Sequence, residues 1–297
     1  PLASIFAAGN SAVIKPSELT PKSSELLNRL VDAYFSENEV AVIGGGINVG
    51  KVFVRQKFDH LLFTGSGKVA KGVMRAAADN LVPLTLELGG KSPVIISSTA
   101  DLGITAKRVI AGKTLNAGQI CLAPDYVLIP RVMLNDFVTQ LKDAFRELFP
   151  LIKSNSDYSS LINKTHKERL LNYLEDAKSK GGTIVTLDSE EIIFEGKEKN
   201  KMVPALVLGA TESMMITDEE IFGPILPIIA YDSIEEAIEY VQKKPTPLAC
   251  YYFGEKKTEI DLILKTVKAG GVTINDVMAH YMQNSAPFGG VGASGIG

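Results

Sequence analysis

Tryptophan is absent from the 297 residues, and cysteine and histidine are scarce, with two and three copies. Two cysteines cannot build a disulfide framework or a four-cysteine zinc centre, and they suit a reducing, cytoplasmic setting. His60, His166 and His280 stand far apart and show no ligand spacing, so no metal site is expected. No apolar run reaches the ~18 residues of a membrane-spanning helix. An excess of one charge is lacking too: 31 Lys and Arg against 34 Asp and Glu leave a net charge of −3. The basic residues are scattered, which argues against a nucleic-acid binder. What remains, 45% hydrophobic and 22% charged, is the balance of a globular chain long enough for two domains.

Strand-like and helix-like stretches alternate, which predicts an α/β fold with a largely parallel sheet covered by helices. Strands are predicted at 13–15, 40–43, 60–64, 84–87, 93–97, 126–129, 183–187, 203–208, 225–230, 249–253 and 271–275. Helices are predicted from Pro21 with Thr20 as N-cap, from the 65–67 turn through Ala78, from Asp101, and over 133–148, 164–180, 233–243 and 255–268. The first of these carries Leu26, Leu27, Leu30, Val31 and Tyr34 on one face. The opening run Pro1–Asn10 is apolar and lacks the basic start of a signal peptide. The closing run Phe288–Gly297 reads as a glycine-dense loop. Such ends suggest an internal piece of a longer polypeptide, and the Gly89-Gly90 turn is the expected domain boundary.

Each motif has a chemical and an ordinary reading. Gly44-x-Gly46-x-x-x-Gly50 follows a strand and is a loose form of the dinucleotide-binding glycine pattern, or a plain glycine turn. Gly45-x-x-x-x-Gly50-Lys51 has phosphate-loop spacing, but Val52 stands where Mg²⁺ binding needs Ser or Thr. Gly65 and Ser66, in Phe63-Thr-Gly-Ser-Gly-Lys68, sit at a predicted helix N-terminus, suited to an anion or to an ordinary strand–helix turn. Lys15 and Glu18 could hold ribose hydroxyls or be two solvated charges. Glu220 and Phe222, beside the Gly223-Pro224 turn, offer a carboxylate and a ring, or loop and core. Cys250, inside the strand-like 248–253, reads as buried.

Cys121 lies 34 positions after Glu87 (121 − 87), in the run Asn116-Ala-Gly-Gln-Ile-Cys-Leu-Ala-Pro-Asp-Tyr126. A lone cysteine is more often a buried apolar residue than a nucleophile. Yet a thiol in one Gly-containing turn and a carboxylate in another suit aldehyde oxidation through a thioester. Sulfur attacks the carbonyl, a hydride leaves to a nicotinamide, and a base activates water to release the acid.

In their order and spacing, Lys15-Pro-Ser-Glu18, Phe63-Thr-Gly-Ser66, Leu86-Glu-Leu-Gly-Gly-Lys91, Gly118-Gln-Ile-Cys121, Glu220-Ile-Phe-Gly-Pro224 and Pro287-Phe-Gly-Gly290 with Ser294-Gly295 resemble the motif series of the aldehyde dehydrogenase superfamily. The resemblance covers essentially the whole chain. Gly118–Tyr126, Asn275-Asp-Val277 and Pro287–Gly292 are most similar to the class 3 branch, which includes fatty, aromatic and coniferyl aldehyde dehydrogenases.

The resemblance implies a partial Rossmann-type cofactor domain over 1–89, an α/β catalytic domain over 90–285 and a return segment over 286–297. It implies Cys121 as nucleophile, with its own backbone N–H as one oxyanion donor, and Glu87 as the base that releases the acid. Lys15 and Glu18 would grip the adenosine ribose, Gly65 and Ser66 the pyrophosphate, and Glu220 the nicotinamide ribose, with Phe222 beside the ring. Asn116 would support the nucleophile loop. NAD is the implied cofactor, because Glu18 should repel a 2′-phosphate, and NADP stays open.

A hydrophobic aldehyde and a homodimer are implied as well. The family's Trp-Asn motif, whose Asn is the second oxyanion donor, would lie ahead of Pro1, and Gly67 replaces a usual Thr. The 297 residues by themselves are therefore expected to show little or no turnover. Two rivals differ at named residues: an acylating, coenzyme A-dependent relative has no need of Glu87, and a non-catalytic protein of this fold has no need of Cys121 and Glu87 together.

Overall fold

The computed structural model describes residues 1–188 and 193–297. The chain divides into two compact units, residues 1–61 with 71–84 and residues 62–70 with 85–297.

In the smaller unit α1 (Leu2–Ala7) precedes β1 (Ala12–Ile14), and α2 (Pro21–Tyr34) crosses over to β2 (Val40–Val42). The two strands pair in parallel, Ala12 opposite Val40, as a right-length crossover helix allows. Thr20 occupies the N-cap of α2 as expected but makes no side-chain cap bond. Its hydroxyl instead donates to the Ser17 carbonyl at 3.4 Å. Of the apolar stripe expected on α2, Val31 is buried, whereas Leu26, Leu30 and Tyr34 are exposed. A short helix not expected from the sequence, α3 (Ile47–Phe53), follows the glycine turn 44–46.

The larger unit takes in most of β3 (Leu61–Thr64), the start of α4 (Gly67–Ala78) and most of β4 (Leu84–Glu87), and then the longest run of alternating elements. β5 (Pro93–Ile96), α5 (Leu102–Thr114), β6 (Tyr126–Pro130), α6 (Leu134–Leu148), α7 (Lys164–Ser179), β7 (Thr183–Thr186) and β8 (Ala205–Leu208) come first. α8 (Met215–Asp218), β9 (Ile225–Tyr231), α9 (Ile234–Gln242), β10 (Ala249–Phe253), α10 (Lys257–Thr266), β11 (Gly271–Ile274) and β12 (Gly295–Ile296) complete it. Among the described residues a seven-stranded sheet runs β11-β10-β5-β6-β9-β8-β7. Every neighbouring pair is parallel except β7 with β8.

Alternation along the central strands explains why this sheet is covered on both faces. Val94, Val127, Ile129, Tyr251 and Phe253 enter one buried cluster with Val109, Phe137, Phe145 and Leu170 of α5, α6 and α7. Ile95, Tyr126, Leu128, Cys250 and Tyr252 point the other way, into a second cluster with Ala237, Val241 and Ile263 of α9 and α10. Side chains two apart share a face, so an unbroken apolar run such as Ala249–Phe253 can only be a strand buried on both sides. Cys250 is fully buried there. Asp101 caps α5 by accepting the Ile104 N–H at 2.9 Å, as its position before the apolar run predicts.

The closing segment is not wholly loop. Gly295 and Ile296 form β12, which pairs antiparallel with β4 so that Gly295 lies opposite Glu87. Among the described residues no helix is long and apolar enough to cross a membrane. None of those residues forms a His, Cys, Asp or Glu group of metal-holding size.

Candidate active site

The nucleophile loop leaves the end of α5 through a left-handed turn. Asn116 and Ala117 adopt φ of 52° and 53°, a conformation that costs a non-glycine residue on the order of 1 kcal/mol or more. Tertiary bonds hold it. Asn116 Nδ2 donates to the Gln119 carbonyl and Gln119 Nε2 donates back to the Asn116 carbonyl. Gln119 Nε2 also donates to the Ser160 carbonyl at 3.2 Å, while its Oε1 accepts the Ile162 N–H at 2.9 Å. Gly118, at φ +76°, is required at its position, because a Cβ there would run into the Gly223 carbonyl. The loop bearing Cys121 and the loop bearing Glu220 and Phe222 thus meet backbone to backbone.

Cys121 is part-buried and packs against the larger apolar cluster. Burial pushes its thiol pKa up, the Glu220 charge pushes it further, and Glu87 adds a smaller push in the same direction. The backbone N–H groups of Cys121 and Leu122 oppose these effects by favouring the thiolate. Both carboxylates therefore lie within electrostatic reach of the sulfur.

Glu87 ends β4, and its carboxyl pKa is raised by burial. Its Oε2 is buried and accepts no hydrogen bond. Glu220 reaches over the Gly89-Gly90 turn just beyond Glu87: a Cβ at Gly89 would collide with the Glu220 carboxylate. Burial and the Asp125 charge raise Glu220 to about 7, against the Gly90 N–H and the charges of Lys91 and Arg169. A thiol beside two carboxylates of raised pKa is suited to proton transfer near neutral pH.

The structure thus brings together Cys121, Glu87 and Glu220 within the larger unit. Phe222 is on the same loop as Glu220, 38% exposed and held at φ 47°. Gly65 is tied to the Glu87 strand, its N–H donating to the Glu87 carbonyl at 3.1 Å. Ser66 accepts the Val69 N–H at 3.4 Å and so caps α4. Lys15 and Glu18 belong to the smaller unit and pair with each other at 3.0 Å. That pair and the Glu18 backbone N–H lower the Glu18 pKa, the N–H more strongly.

Several supporting residues carried no sequence signal of their role. Lys91 and Asp125 form a buried ion pair at 2.5 Å. Arg169 donates to the Ile221 carbonyl at 2.7 Å and to the Tyr173 hydroxyl at 3.0 Å, and that hydroxyl donates to Glu219 at 2.5 Å. Lys113 is fully buried, donates to the Pro124 carbonyl at 2.9 Å, and has its pKa lowered by burial to about 8. Lys91 and Asp125 stand inside motifs visible in the sequence, but only the fold pairs them.

A thiol in a pinned turn and two partly buried carboxylates thus stand on the three segments that lead into the neighbouring parallel strands β5, β6 and β9. The chain belongs to the aldehyde dehydrogenase family, whose model matches residues 1–297. It is 50% identical over 299 residues to a coniferyl aldehyde dehydrogenase of Pseudomonas sp., covering 100% of this chain and 62% of the relative. Its fold matches the substrate-bound AldH of Staphylococcus aureus with a TM-score of 0.92 at 40% identity, over 100% of this chain and 63% of that one. The indole-3-acetaldehyde dehydrogenase AldA of P. syringae, solved with NAD+ and IAA, matches with a TM-score of 0.87 at 28% identity, over 100% and 60% of the two chains. The chain therefore spans about three fifths of the length of the relatives it matches. The class 3 resemblance read from the sequence is borne out by the coniferyl relative.

Proposed function

We propose that this chain carries the nucleophile and base of an aldehyde dehydrogenase that converts a hydrophobic aldehyde, aromatic or aliphatic, into its carboxylate with NAD, NADP being the alternative. Cys121 attacks the aldehyde carbon to give a thiohemiacetal, and its backbone N–H steadies the oxygen. Loss of hydride leaves a thioester, and Glu87 takes a proton from the water that hydrolyses it, freeing the thiol. A bound nicotinamide cofactor supplies the hydride acceptor. The residues fit that group: Glu220 is a part-buried carboxylate with acceptor capacity for ribose hydroxyls, and Gly65 and Ser66 stand at the N-terminus of a 12-residue helix suited to a phosphate. Lys15 and Glu18 would take the adenosine ribose, and Phe222 would lie beside the nicotinamide.

The observation that carries this reading is the close approach of the three loops, Cys121's to Glu220's at Gly118 and Glu220's to Glu87's at Gly89, with Glu87 keeping an unpartnered buried oxygen. A hydrolytic base so placed favours acid release over transfer to coenzyme A. The coniferyl relative supports a hydrophobic aldehyde, and the NAD+ complex of AldA supports the cofactor. The homodimer is inferred from the family resemblance and the cytoplasmic setting from the scarcity of cysteine, and analytical ultracentrifugation of the full-length protein checks the dimer. Single-turnover NADH formation by the full-length protein across an aldehyde panel, with either cofactor, tests the reaction. A signal that is the same in Cys121→Ala would overturn it.

A further inference from the structure

Glu87 and Cys121 are 34 residues apart, and so are Lys91 and Asp125. The approach of Lys91 to Asp125 has a structural cause. Lys91 stands two residues before β5 and Asp125 one residue before β6, and those strands are parallel neighbours with Pro93 opposite Tyr126. The Asp125 N–H extends the ladder by donating to the Ser92 carbonyl at 2.8 Å. The ion pair therefore sits where the Glu87 turn enters β5 and the Cys121 loop enters β6. Both side chains are buried, at 5% and 4% exposure.

The same pair reaches the third loop. Lys91 Nζ also donates to the carbonyls of Ile216 and Glu219, at 2.8 and 3.0 Å. Asp125 Oδ1 accepts the Ile221 N–H at 2.9 Å. The bonds to Glu219 and Ile221 fall on the two residues flanking Glu220. One cation and one anion thus bond to all three chain segments that present Cys121, Glu87 and Glu220, each through a residue one to four positions away. A buried charge pair is retained only where its geometry satisfies both partners, and here the remaining partners are backbone groups of the site loops.

Resting on the dehydrogenase reading above, we propose that Lys91 and Asp125 are positioning residues that set the register of the Cys121, Glu87 and Glu220 loops against one another. Neither touches the reacting atoms. Their effect is transmitted through backbone, and a displacement of about 1 Å at a reacting centre is enough to cost on the order of 10²-fold in rate.

The test is iodoacetamide labelling of Cys121 as a function of pH, followed by mass spectrometry with Cys250 as an internal control for unfolding. It needs neither aldehyde nor cofactor, so its failure is separable from failure of the dehydrogenase reading, which NADH formation tests. Asp125 is not among the groups acting directly on the Cys121 thiol, which are Glu220, Glu87 and two backbone N–H groups. It does act on the Glu220 carboxyl, so Asp125→Asn, like the other variants of the pair, is compared in a Glu220→Gln background, where a change of the labelling midpoint comes through the loops. The expected result is a midpoint lowered toward the ordinary thiol range and labelling at pH 7.5 faster by about 3-fold or more, with Cys250 still protected. Asp125→Glu should lie between this variant and the parent.

Should Asp125→Asn expose Cys250, the double variant Lys91→Met/Asp125→Leu removes both charges together and is expected to fold while showing the same lowered midpoint. A parental midpoint in any variant that protects Cys250 would overturn the proposal. So would joint labelling of both cysteines in the single and the double variant, since the pair would then hold the whole unit and not the loops.

Discussion

Tyr251 donates its hydroxyl to the carbonyl of Leu122 at 2.6 Å, which fastens the residue after the nucleophile to strand β10. Both groups are buried. Tyr251→Phe keeps the ring in the core and leaves the Leu122 carbonyl without that donor. An unsatisfied buried acceptor costs ~1–3 kcal/mol, so the urea midpoint should fall with an unchanged m-value. An unchanged midpoint would mean that the bond contributes nothing to the folded chain.

Stability should depend on pH through Glu220. Its pKa rises from 4.5 to about 7 on folding, so between those values the folded chain keeps a proton that the unfolded chain has released. Stability therefore falls as pH rises through that window and levels off above it. Glu220→Gln cannot titrate. It should match the parent near pH 4.5, exceed it at pH 8, and flatten the slope between, as read by urea denaturation across pH. A parallel pH curve for parent and variant would contradict the raised carboxyl.

Thiol reactivity should rank the two carboxylates. Glu220 acts on Cys121 more strongly than Glu87 does, and both raise its pKa. Labelling of Cys121 at fixed pH should accelerate in Glu220→Gln and, by a smaller factor, in Glu87→Gln, because more thiolate is present. The reverse order of the two variants would show that Glu87 stands nearer to the sulfur.

The sheet was legible because its central strands are buried on both faces. Pro93–Ile96, Tyr126–Pro130 and Ala249–Phe253 are short continuous apolar runs bounded by turn residues, and a strand is the element that fits them. Shorter pieces were not. α1 and α3 span 6 and 7 residues, too few to show a helical period, and the two-residue β12 exists only through its pairing with Glu87 and Leu86.

For the site, Cys121, Glu87 and Glu220 were legible from motif order and spacing. The Lys91–Asp125 pair and the Gln119 staple were not, since the first depends on the register of β5 against β6 and the second on where a loop 41 residues further on packs. Register is a property of the assembled sheet, and no local pattern announces it.

Separation of the two half-reactions follows from the roles given to Cys121 and Glu87. In the full-length protein Glu87→Gln should form NADH in the first turnover at near-parental amplitude. Its steady-state rate should then fall by ~10²-fold or more, the usual worth of a general base. Loss of the first-turnover signal would assign Glu87 to the hydride-transfer step instead.

The most direct measurement is of the sulfur itself. Full-length Glu87→Gln is incubated with NAD+ and an aromatic aldehyde, quenched in acid and digested, and the peptide containing residue 121 is weighed. An acyl group on Cys121, dependent on both cofactor and aldehyde, is the expected result. Steady NADH formation by this variant with an unmodified Cys121, or an acyl group found on another side chain, would contradict the account.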